Sequence, residues 1–264
     1  MKAPSLLRER AWQIAVLPML LFILLPLVAL LVRVSPADLL RKLGDPMVRQ
    51  AVQLSFLTSA VSTVVAIFLG TPVAYQLARR RNTTFRRILD TLVDLPTVLP
   101  PAVAGIALLM AFGRRGLVGP WLDAVGIQIP FTAVAVVLAQ TFIAAPLYIK
   151  SAAVGFTAID PELRQAAALD GASRWQTFRF ITVPLSWTAL LSGVVACWAR
   201  ALGEFGATII FAGNFPGRTQ TMPLAIYLGF EVDLDTALTL SVILVGTSFL
   251  TLFLLKSLLT QKPT

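Results

Sequence analysis

The sequence contains no histidine, a single cysteine and few charged residues. Without histidine it lacks the commonest general base and the commonest metal ligand, which disfavours a membrane metalloprotease and a histidine-dependent triad. Cys197 cannot form a disulfide within the chain, and its position in an apolar run is typical of a buried structural thiol. The sequence therefore predicts no catalytic residues and no metal site.

Charge is too scarce to cover the surface of a water-soluble protein of this size. Only 13% of the 264 residues are charged and 57% are hydrophobic, against roughly 25% and 45–50% in an average soluble domain. The mean hydropathy is +0.81. These values predict a protein whose main solvent is lipid.

Long apolar runs divide the chain into six predicted membrane spans, since each crossing helix needs roughly 20 apolar residues. The predicted spans cover residues 12–33, 50–78, 89–112, 131–149, 186–211 and 236–255. The first run exceeds the apolar core of a signal peptide, about 7–15 residues, and is interpreted as an uncleaved span. We therefore expect one all-α transmembrane domain over residues 1–264, with short helices near 37–43 and 222–231.

The distribution of basic residues predicts how the spans are oriented. Of 22 Lys and Arg, 14 lie in segments assigned to one side, including the cluster 79–87, and seven lie in segments assigned to the other. Cytoplasmic loops are the richer in Lys and Arg, so both termini are expected in the cytoplasm. The net charge of +9 then reflects orientation, and no nucleic-acid partner is expected.

Residues 151–185 form the largest polar segment between predicted spans, and their pattern predicts two short helices joined by a turn. Asp160 is placed to cap the first helix, and Gly171 follows its end, where glycine is favoured. Ser173, followed three residues later by Gln176, has the capping-box pattern for the second helix. Such a hairpin fits two roles: docking to a partner protein, or lying on its own bundle.

This segment resembles the cytoplasmic motif of the permease subunits of binding-protein-dependent ABC importers. Their motif reads Glu-Ala-Ala, three residues, Gly, nine residues, then Ile-x-Leu-Pro. At the same spacing the chain has Gln-Ala-Ala at 165–167, Gly171, and Ile-Thr-Val-Pro at 181–184. Gln165 replaces an acid and Val183 replaces a leucine, which leaves open whether the first position forms a salt bridge to the partner.

The resemblance implies that residues 151–185 are a coupling loop that fits a cleft in a cytoplasmic ATPase subunit. Small side chains let a partner approach closely, and aromatic side chains provide anchors. The predicted coupling residues are Gln165, Ala166, Ala167, Asp170, Gly171, Trp175, Phe178, Ile181 and Pro184.

The resemblance also implies a type I ABC importer permease fold and a set of partners. These are a second copy of the chain in a homodimer, two cytoplasmic ABC ATPase subunits and an extracytoplasmic oxyanion-binding protein, in a prokaryotic inner membrane. The chain has no Gly-x-x-x-x-Gly-Lys-Ser/Thr phosphate loop. We therefore expect ATP and magnesium on the ATPase, no cofactor on this chain, and no enzymatic activity of its own.

Two further stretches, residues 94–105 and 199–214, are similar to molybdate-type permeases. The resemblance implies transport of molybdate, with tungstate, and leaves sulfate or thiosulfate as the alternative. A secondary transporter is a different class that would usually show internal repeats, and no convincing repeat is visible. No basic cage is visible in the spans, which suits an importer whose selectivity lies in a separate binding protein.

The third and fifth predicted spans contain candidates for a pathway or gate. Pro96, Pro100 and Pro101 lack a backbone N–H and weaken the third helix, and Asp94 and Thr97 lie beside this weak point. A kinked packing helix is the alternative interpretation.

In the fifth span, Arg200 and Glu204 are four residues apart and share a helix face. They either neutralise each other or lie along the pathway, because charges inside the membrane usually face the protein interior. Glu204 would repel a free oxyanion and is not proposed as its ligand. Gly203, Gly206 and Ala207 are small enough for a close seam between two copies of this span.

Overall fold

A computed structural model gives the architecture of residues 3–79 and 83–260, with no account of the side chains of 3–14, 255 and 258–260. Four of the basic residues used to predict orientation, Lys2, Arg80, Arg81 and Lys262, lie outside the described residues. Every regular element in the described ranges is a helix. The all-α prediction is confirmed.

The helices of the described residues follow one another in chain order, with one π-helical turn among them. They are α1 (Ala3–Arg33), α2 (Pro36–Leu43), α3 (Pro46–Arg79), α4 (Thr84–Val98), α5 (Pro101–Phe112), α6 (Gly119–Ala124), α7 (Ala133–Thr157), α8 (Pro161–Leu169), α9 (Arg174–Thr177), the turn Phe178–Thr182, α10 (Val183–Leu185), α11 (Trp187–Leu202), α12 (Gly206–Ala212), α13 (Met222–Val232) and α14 (Leu234–Thr260). The short helices expected near 37–43 and 222–231 are α2 and α13.

Four segments are long and apolar enough to cross a membrane: Ala15–Arg33 of α1, α3, α7 and Leu234–Leu254 of α14. Two sharply bent pairs raise the number to six if each pair counts as one span. None of the apolar window of α1 is buried within the chain. In contrast, α3, α7 and α11 pack together around Ala144, Ala152 and Phe156, and Cys197 is buried beside them.

The buried face of α3 is small and polar, with Ser55, Thr58, Ser59, Ser62 and Thr63 all at most 5% exposed. Their spacing of three and four residues places them in one stripe. The stripe saturates most of its hydrogen-bonding capacity within α3, since the hydroxyls of Thr58, Ser62 and Thr63 each donate to the carbonyl four residues earlier. This face allows α3 and α7 to lie close together.

The third predicted span is broken, so its expectation as one helix over 89–112 is corrected. Helices α4 and α5 are bent by 114° relative to each other. Leu99 has an extended backbone between them, because the α-helical conformation is sterically disfavoured for a residue that precedes proline. Pro96 remains inside α4, so the break is due to Pro100 and Pro101.

The fourth and fifth predicted spans also differ from expectation. Helix α7 continues to Thr157, well past residue 149, so Lys150 lies within the helix and does not end it. The expected helix over 186–211 is interrupted between α11 and α12. Phe205 has a non-helical backbone there, and Gly203, a poor helix former, ends α11.

An ion pair joins α2 to the start of α14. The ammonium of Lys42 donates to Oδ2 of Asp233 at 2.6 Å and to the hydroxyl of Thr236 at 2.9 Å. The hydrogen bond from Lys42, and then the one from Thr236, lower the pKa of the Asp233 carboxyl to about 2. The stabilising contribution is therefore complete above the ordinary carboxyl pKa and is lost as the pH falls through about 2.

Replacing Asp233 with asparagine is expected to lower the melting temperature slightly, and by the same amount at pH 5 and pH 8. The effect is small because the Asp233 side chain is 45% exposed and exposed ion pairs contribute little. Differential scanning fluorimetry of the purified protein measures both values. A loss that differs between the two pH values would contradict this account of the carboxyl.

Candidate functional site

A cavity of about 210 Å³ lies at the break between α4 and α5. Its lining includes Pro96, Thr97 and Arg200, three of the residues predicted for the pathway, although Arg200 is far away in sequence. Pro100 forms the corner immediately before α5. Since one water molecule occupies about 30 Å³ of liquid, the cavity has room for several.

Asp94 is not among the residues that line this cavity. Its Oδ2 accepts a hydrogen bond from the ammonium of Lys150 at 2.8 Å, and Oδ1 of Asp90 accepts another from the same ammonium at 2.5 Å. Lys150 on α7 thus holds two carboxylates on consecutive turns of α4. The ion pairs fix α4 against α7 directly before the break.

Lys150 and Asp90 were missed as site residues by the sequence prediction. Asp90 and Asp94 are four residues apart on one helix face, and two carboxylates so placed repel each other unless a cation lies nearby. That repulsion was a usable signal for a missing partner. Which basic residue is the missing partner depends on how α7 packs, and the sequence alone does not contain that information.

Arg200 and Glu204 form the predicted ion pair, with 2.6 Å between Nη1 and Oε2. The Glu204 side chain is 1% exposed, whereas that of Arg200 is 35% exposed and borders the cavity. Oε1 of Glu204 also accepts a hydrogen bond from the backbone N–H of Ala207 at 2.9 Å. Glu204 therefore caps the start of α12, a role that the sequence analysis did not predict. Through Arg200 it also connects the break between α11 and α12 to the cavity.

Gly206 and Ala207 pack against α5 of the same chain, which corrects the expectation of a seam between two copies. A Cβ added to Gly206 would lie 2.5 Å from Cβ of Pro101. Ala207 is completely buried, and its carbonyl oxygen would lie 2.8 Å from a Cβ added to Gly105. Only Gly203 of the expected seam is exposed. The break between α4 and α5 and the break between α11 and α12 are thus in direct contact at the cavity.

Replacing Gly206 with leucine is expected to separate α12 from α5 and to reduce transport at least tenfold. The added side chain would collide with the ring of Pro101, and overpacking of this kind costs about 1–3 kcal/mol. The matched control is Gly246→Leu in α14, where nothing lies within 4 Å of an added Cβ. Normal uptake by the Gly206 variant would show that this packing is dispensable.

The coupling segment has the local structure that its sequence predicts. Asp160 caps α8 by accepting a hydrogen bond from the N–H of Glu162 at 2.9 Å. Ser173 and Gln176 form both hydrogen bonds of a capping box at the start of α9. Gly171, between the two helices, has a φ of +81°, in the left-handed region that favours glycine.

Helix α8 is exposed on most of its surface. Gln165, Ala166 and Asp170 are exposed and Ala167 is partly exposed. Leu169 at its end is 88% exposed. The surface of α8 is therefore mixed, with small and polar residues beside one highly exposed leucine, and it is free of contacts with the described residues that would prevent a partner from approaching.

The two predicted aromatic anchors have different surroundings. Trp175 is 66% exposed and stacks on Phe178, with 5.7 Å between ring centroids. Phe178 is half-buried and contacts Tyr75 of α3 and Phe156 of α7 edge-on. Only Trp175 is therefore available to a partner, while Phe178 connects the coupling segment to the bundle.

The rest of the segment continues this connection into α11. Ile181 lies in the π-helical turn and is partly buried, while Pro184 lies in α10 and is exposed. Thr182 between them is buried. Across residues 3–79 and 83–260 no group of three or more acidic or cysteine side chains is placed to hold a metal ion.

Residues 64–261 match the family described as binding-protein-dependent transport system inner membrane component. The chain is 36% identical to a probable transport system permease protein NifC of Clostridium pasteurianum, over 89% of this chain and 82% of the relative. It is 44% identical to the molybdenum transport system permease protein ModB of Mycobacterium bovis, over 86% of this chain and 85% of the relative.

The fold is similar to that of a chain in the crystal structure of a bacterial ABC transporter involved in the import of the acidic polysaccharide alginate. The TM-score is 0.76 at 15% sequence identity, and the match covers 98% of both chains. At this identity the similarity concerns the fold alone.

Proposed function

Because the chain belongs to the family of inner membrane components of binding-protein-dependent transport systems, we propose that it is the membrane-spanning subunit of an ATP-driven importer for molybdate. The observation that carries this proposal is the 44% identity to a molybdenum transport permease over 86% of the chain. Tungstate, an oxyanion of the same geometry and charge, is expected to share the pathway.

The subunit works as a homodimer with two cytoplasmic ATPases and an extracytoplasmic oxyanion-binding protein. ATP and magnesium bind to the ATPases, and this chain hydrolyses nothing. Both termini face the cytoplasm of a prokaryotic inner membrane, as the excess of Lys and Arg in the corresponding segments indicates. In this orientation the coupling segment meets the ATPases directly.

Helix α8 is the surface that docks to the ATPase. Its small residues, the exposed Ala166 and the partly exposed Ala167, allow a partner helix or cleft to come close. Movement of α8 passes to α9 through the Gly171 turn, and from Trp175 and Phe178 to the aromatic rings of α3 and α7. This aromatic contact supports a mechanical link between nucleotide binding and the bundle.

The cavity at the break between α4 and α5 lies along the gate. Two discontinuous segments meet there, α5 with its proline corner and α12 with its Glu204 cap. Irregular backbone at membrane depth is tolerated where protein or a water-filled cavity surrounds it. Arg200 lines the cavity while Glu204 neutralises its charge, so a passing anion would be bound weakly and released.

The test is uptake of radiolabelled molybdate by proteoliposomes that contain the chain, its ATPase and its binding protein. We expect uptake that requires ATP and is inhibited by tungstate and not by sulfate. Sulfate uptake would overturn the substrate while keeping the transporter class. Uptake driven by an ion gradient without the ATPase would overturn the class itself.

A further inference from the structure

An apolar groove of about 540 Å³ lies between the last turns of α3 and helix α9. One wall is the outer side of α3, and the other is the aromatic pair of the coupling segment. Two arginines belong to the same lining: Arg79 is the last residue of α3, and Arg174 is the first of α9. The lining includes Ile67, Phe68, Arg79, Arg174 and Trp175.

The length of the groove suits one lipid chain. From Ile67 to Arg79 it follows twelve residues of α3, which is about 18 Å at 1.5 Å per residue. One leaflet contributes about half of the roughly 30 Å hydrocarbon core. An acyl chain lying along α3 would therefore end near Ile67 when its headgroup lies at Arg79.

The apolar wall is continuous with a surface that faces outward from the bundle. Phe68 is 75% exposed, its neighbour Leu69 is 69% exposed and Val64 is 50% exposed. Trp175 lies at the headgroup end, the depth at which tryptophan is enriched in membrane proteins. The groove thus opens sideways, to the environment in which lipids are found.

The two arginines lack an acidic partner within the described chain. Neither Arg79 nor Arg174 forms an ion pair with a carboxylate among the described side chains, which are those of residues 15–79, 83–254, 256 and 257. The guanidinium of Arg79 lies over the ring of Tyr75, 5.2 Å from its centroid, which holds it at the groove. Arginine binds phosphate oxygens by paired, charge-assisted hydrogen bonds.

We propose that this groove binds one anionic phospholipid of the cytoplasmic leaflet. Arg79 and Arg174 hold its phosphate, and one acyl chain lies along α3 beneath Trp175. A second copy of α1 is a poorer occupant, because its apolar segment Ala15–Arg33 contains no acidic residue to pair with the arginines. An anionic lipid satisfies both the charge and the apolar wall.

The site places a lipid at the joint between the coupling segment and the bundle. Trp175 and Phe178 form one wall of the groove and also connect α9 to α3 and α7. A bound lipid therefore braces this connection, and transport is expected to rise with the content of anionic lipid. This dependence rests on the coupling role proposed above, whereas lipid binding itself does not.

Native mass spectrometry of the purified permease–ATPase complex tests the binding. The complex is released from nanodiscs of equal phosphatidylglycerol and phosphatidylcholine content. We expect one phosphatidylglycerol retained per permease and little phosphatidylcholine. In the double variant Arg79→Gln, Arg174→Gln the retention is expected to fall roughly 30-fold, since each arginine near an anionic surface contributes about a fivefold preference.

The matched control is Arg86→Gln, Arg87→Gln, which removes the same charge from the basic cluster without touching the groove lining. It should retain the lipid, and Arg79→Lys, Arg174→Lys should retain more lipid than Arg79→Gln, Arg174→Gln, because the two charges are kept while the paired hydrogen bonds are lost. Equal loss in both glutamine variants, or equal retention of the two lipids by the unmodified complex, would overturn the proposal. A disulfide between Phe68→Cys and a cysteine placed in α1 of the second copy, in a complex that keeps its activity, would also overturn the proposal. Such a crosslink would show that α1 occupies the groove. If the glutamine variant does not purify, the comparison of the two lipids in the unmodified complex decides.

Discussion

Replacing Arg200 with methionine is expected to abolish molybdate uptake and to lower stability by about 3–5 kcal/mol. The side chain of Glu204 is 1% exposed, and Arg200 is its ion-pair partner at 2.6 Å. Without the guanidinium, the carboxylate is left buried with the N–H of Ala207 as its remaining partner. Thermal unfolding of the purified permease and uptake in proteoliposomes measure the two effects.

The double variant Arg200→Met, Glu204→Gln separates stability from gating. Glutamine keeps an oxygen that can accept from the N–H of Ala207 and removes the buried charge, so most of the lost stability should return. Uptake should stay low, because the charge at the cavity is gone. Equal instability of the single and double variants would show that the ion pair is not the cause. If Glu204→Gln alone left both transport and expression unchanged, the gating role of the pair would be wrong.

The second large effect is expected at Gly171, where valine should reduce transport about 5- to 30-fold. Gly171 has a φ of +81° and nothing in this chain lies within 4 Å of an added Cβ, so within the permease the substitution acts through the backbone. A left-handed conformation costs a non-glycine residue about 1–2 kcal/mol, and β-branching restricts it further. The turn between α8 and α9 would shift, and α8 would no longer be presented correctly to the ATPase.

Two controls keep this interpretation specific. Gly171→Asn should retain most activity, because asparagine tolerates the left-handed region better than other residues. Gly126→Val introduces the same strain at a φ of +74°, again with nothing within 4 Å, in the loop predicted to lie outside the cytoplasm. Co-purification with the ATPase should fall only for Gly171→Val. Equal losses at the two glycines would mean that general misfolding explains the result.

The ends of the coupling helices were predictable because capping is a local property. Asp160, Ser173 and Gln176 bond to backbone groups within three residues of themselves. The sequence contains everything needed to form these contacts. The same holds for Gly171, whose conformation follows from the helix end that it terminates.

The interruptions of the third and fifth spans were only partly predictable. Consecutive prolines at 100 and 101 indicated a weakness, but not a bend of 114°, which is set by how α5 packs on α12. The non-helical backbone at Phe205 depends on the buried carboxylate of Glu204 capping the next helix. The bend has a tertiary cause, whereas the Glu204 contact is local, three residues along the chain, and a hydropathy pattern shows neither.

The direction of a side chain was the hardest feature to predict. Trp175 and Phe178 are three residues apart and chemically alike, yet one is exposed and the other lies among Tyr75 and Phe156. Lys150 was placed at the end of a span, whereas it pairs with two carboxylates of α4. Both outcomes depend on which helices become neighbours.

The polar stripe on α3 determines how easily that helix can slide. Because its hydroxyls are mostly satisfied by carbonyls of their own helix, a shift along α7 carries those hydrogen bonds with it. Within the described residues, side-chain hydrogen bonds join α3 to α7 at two places: Ser62, which bonds to Val137 and Gln140, and Thr71, which bonds to Tyr148. For α3 to shift along α7, the side-chain hydrogen bonds that have to break between the two helices are therefore confined to these two places.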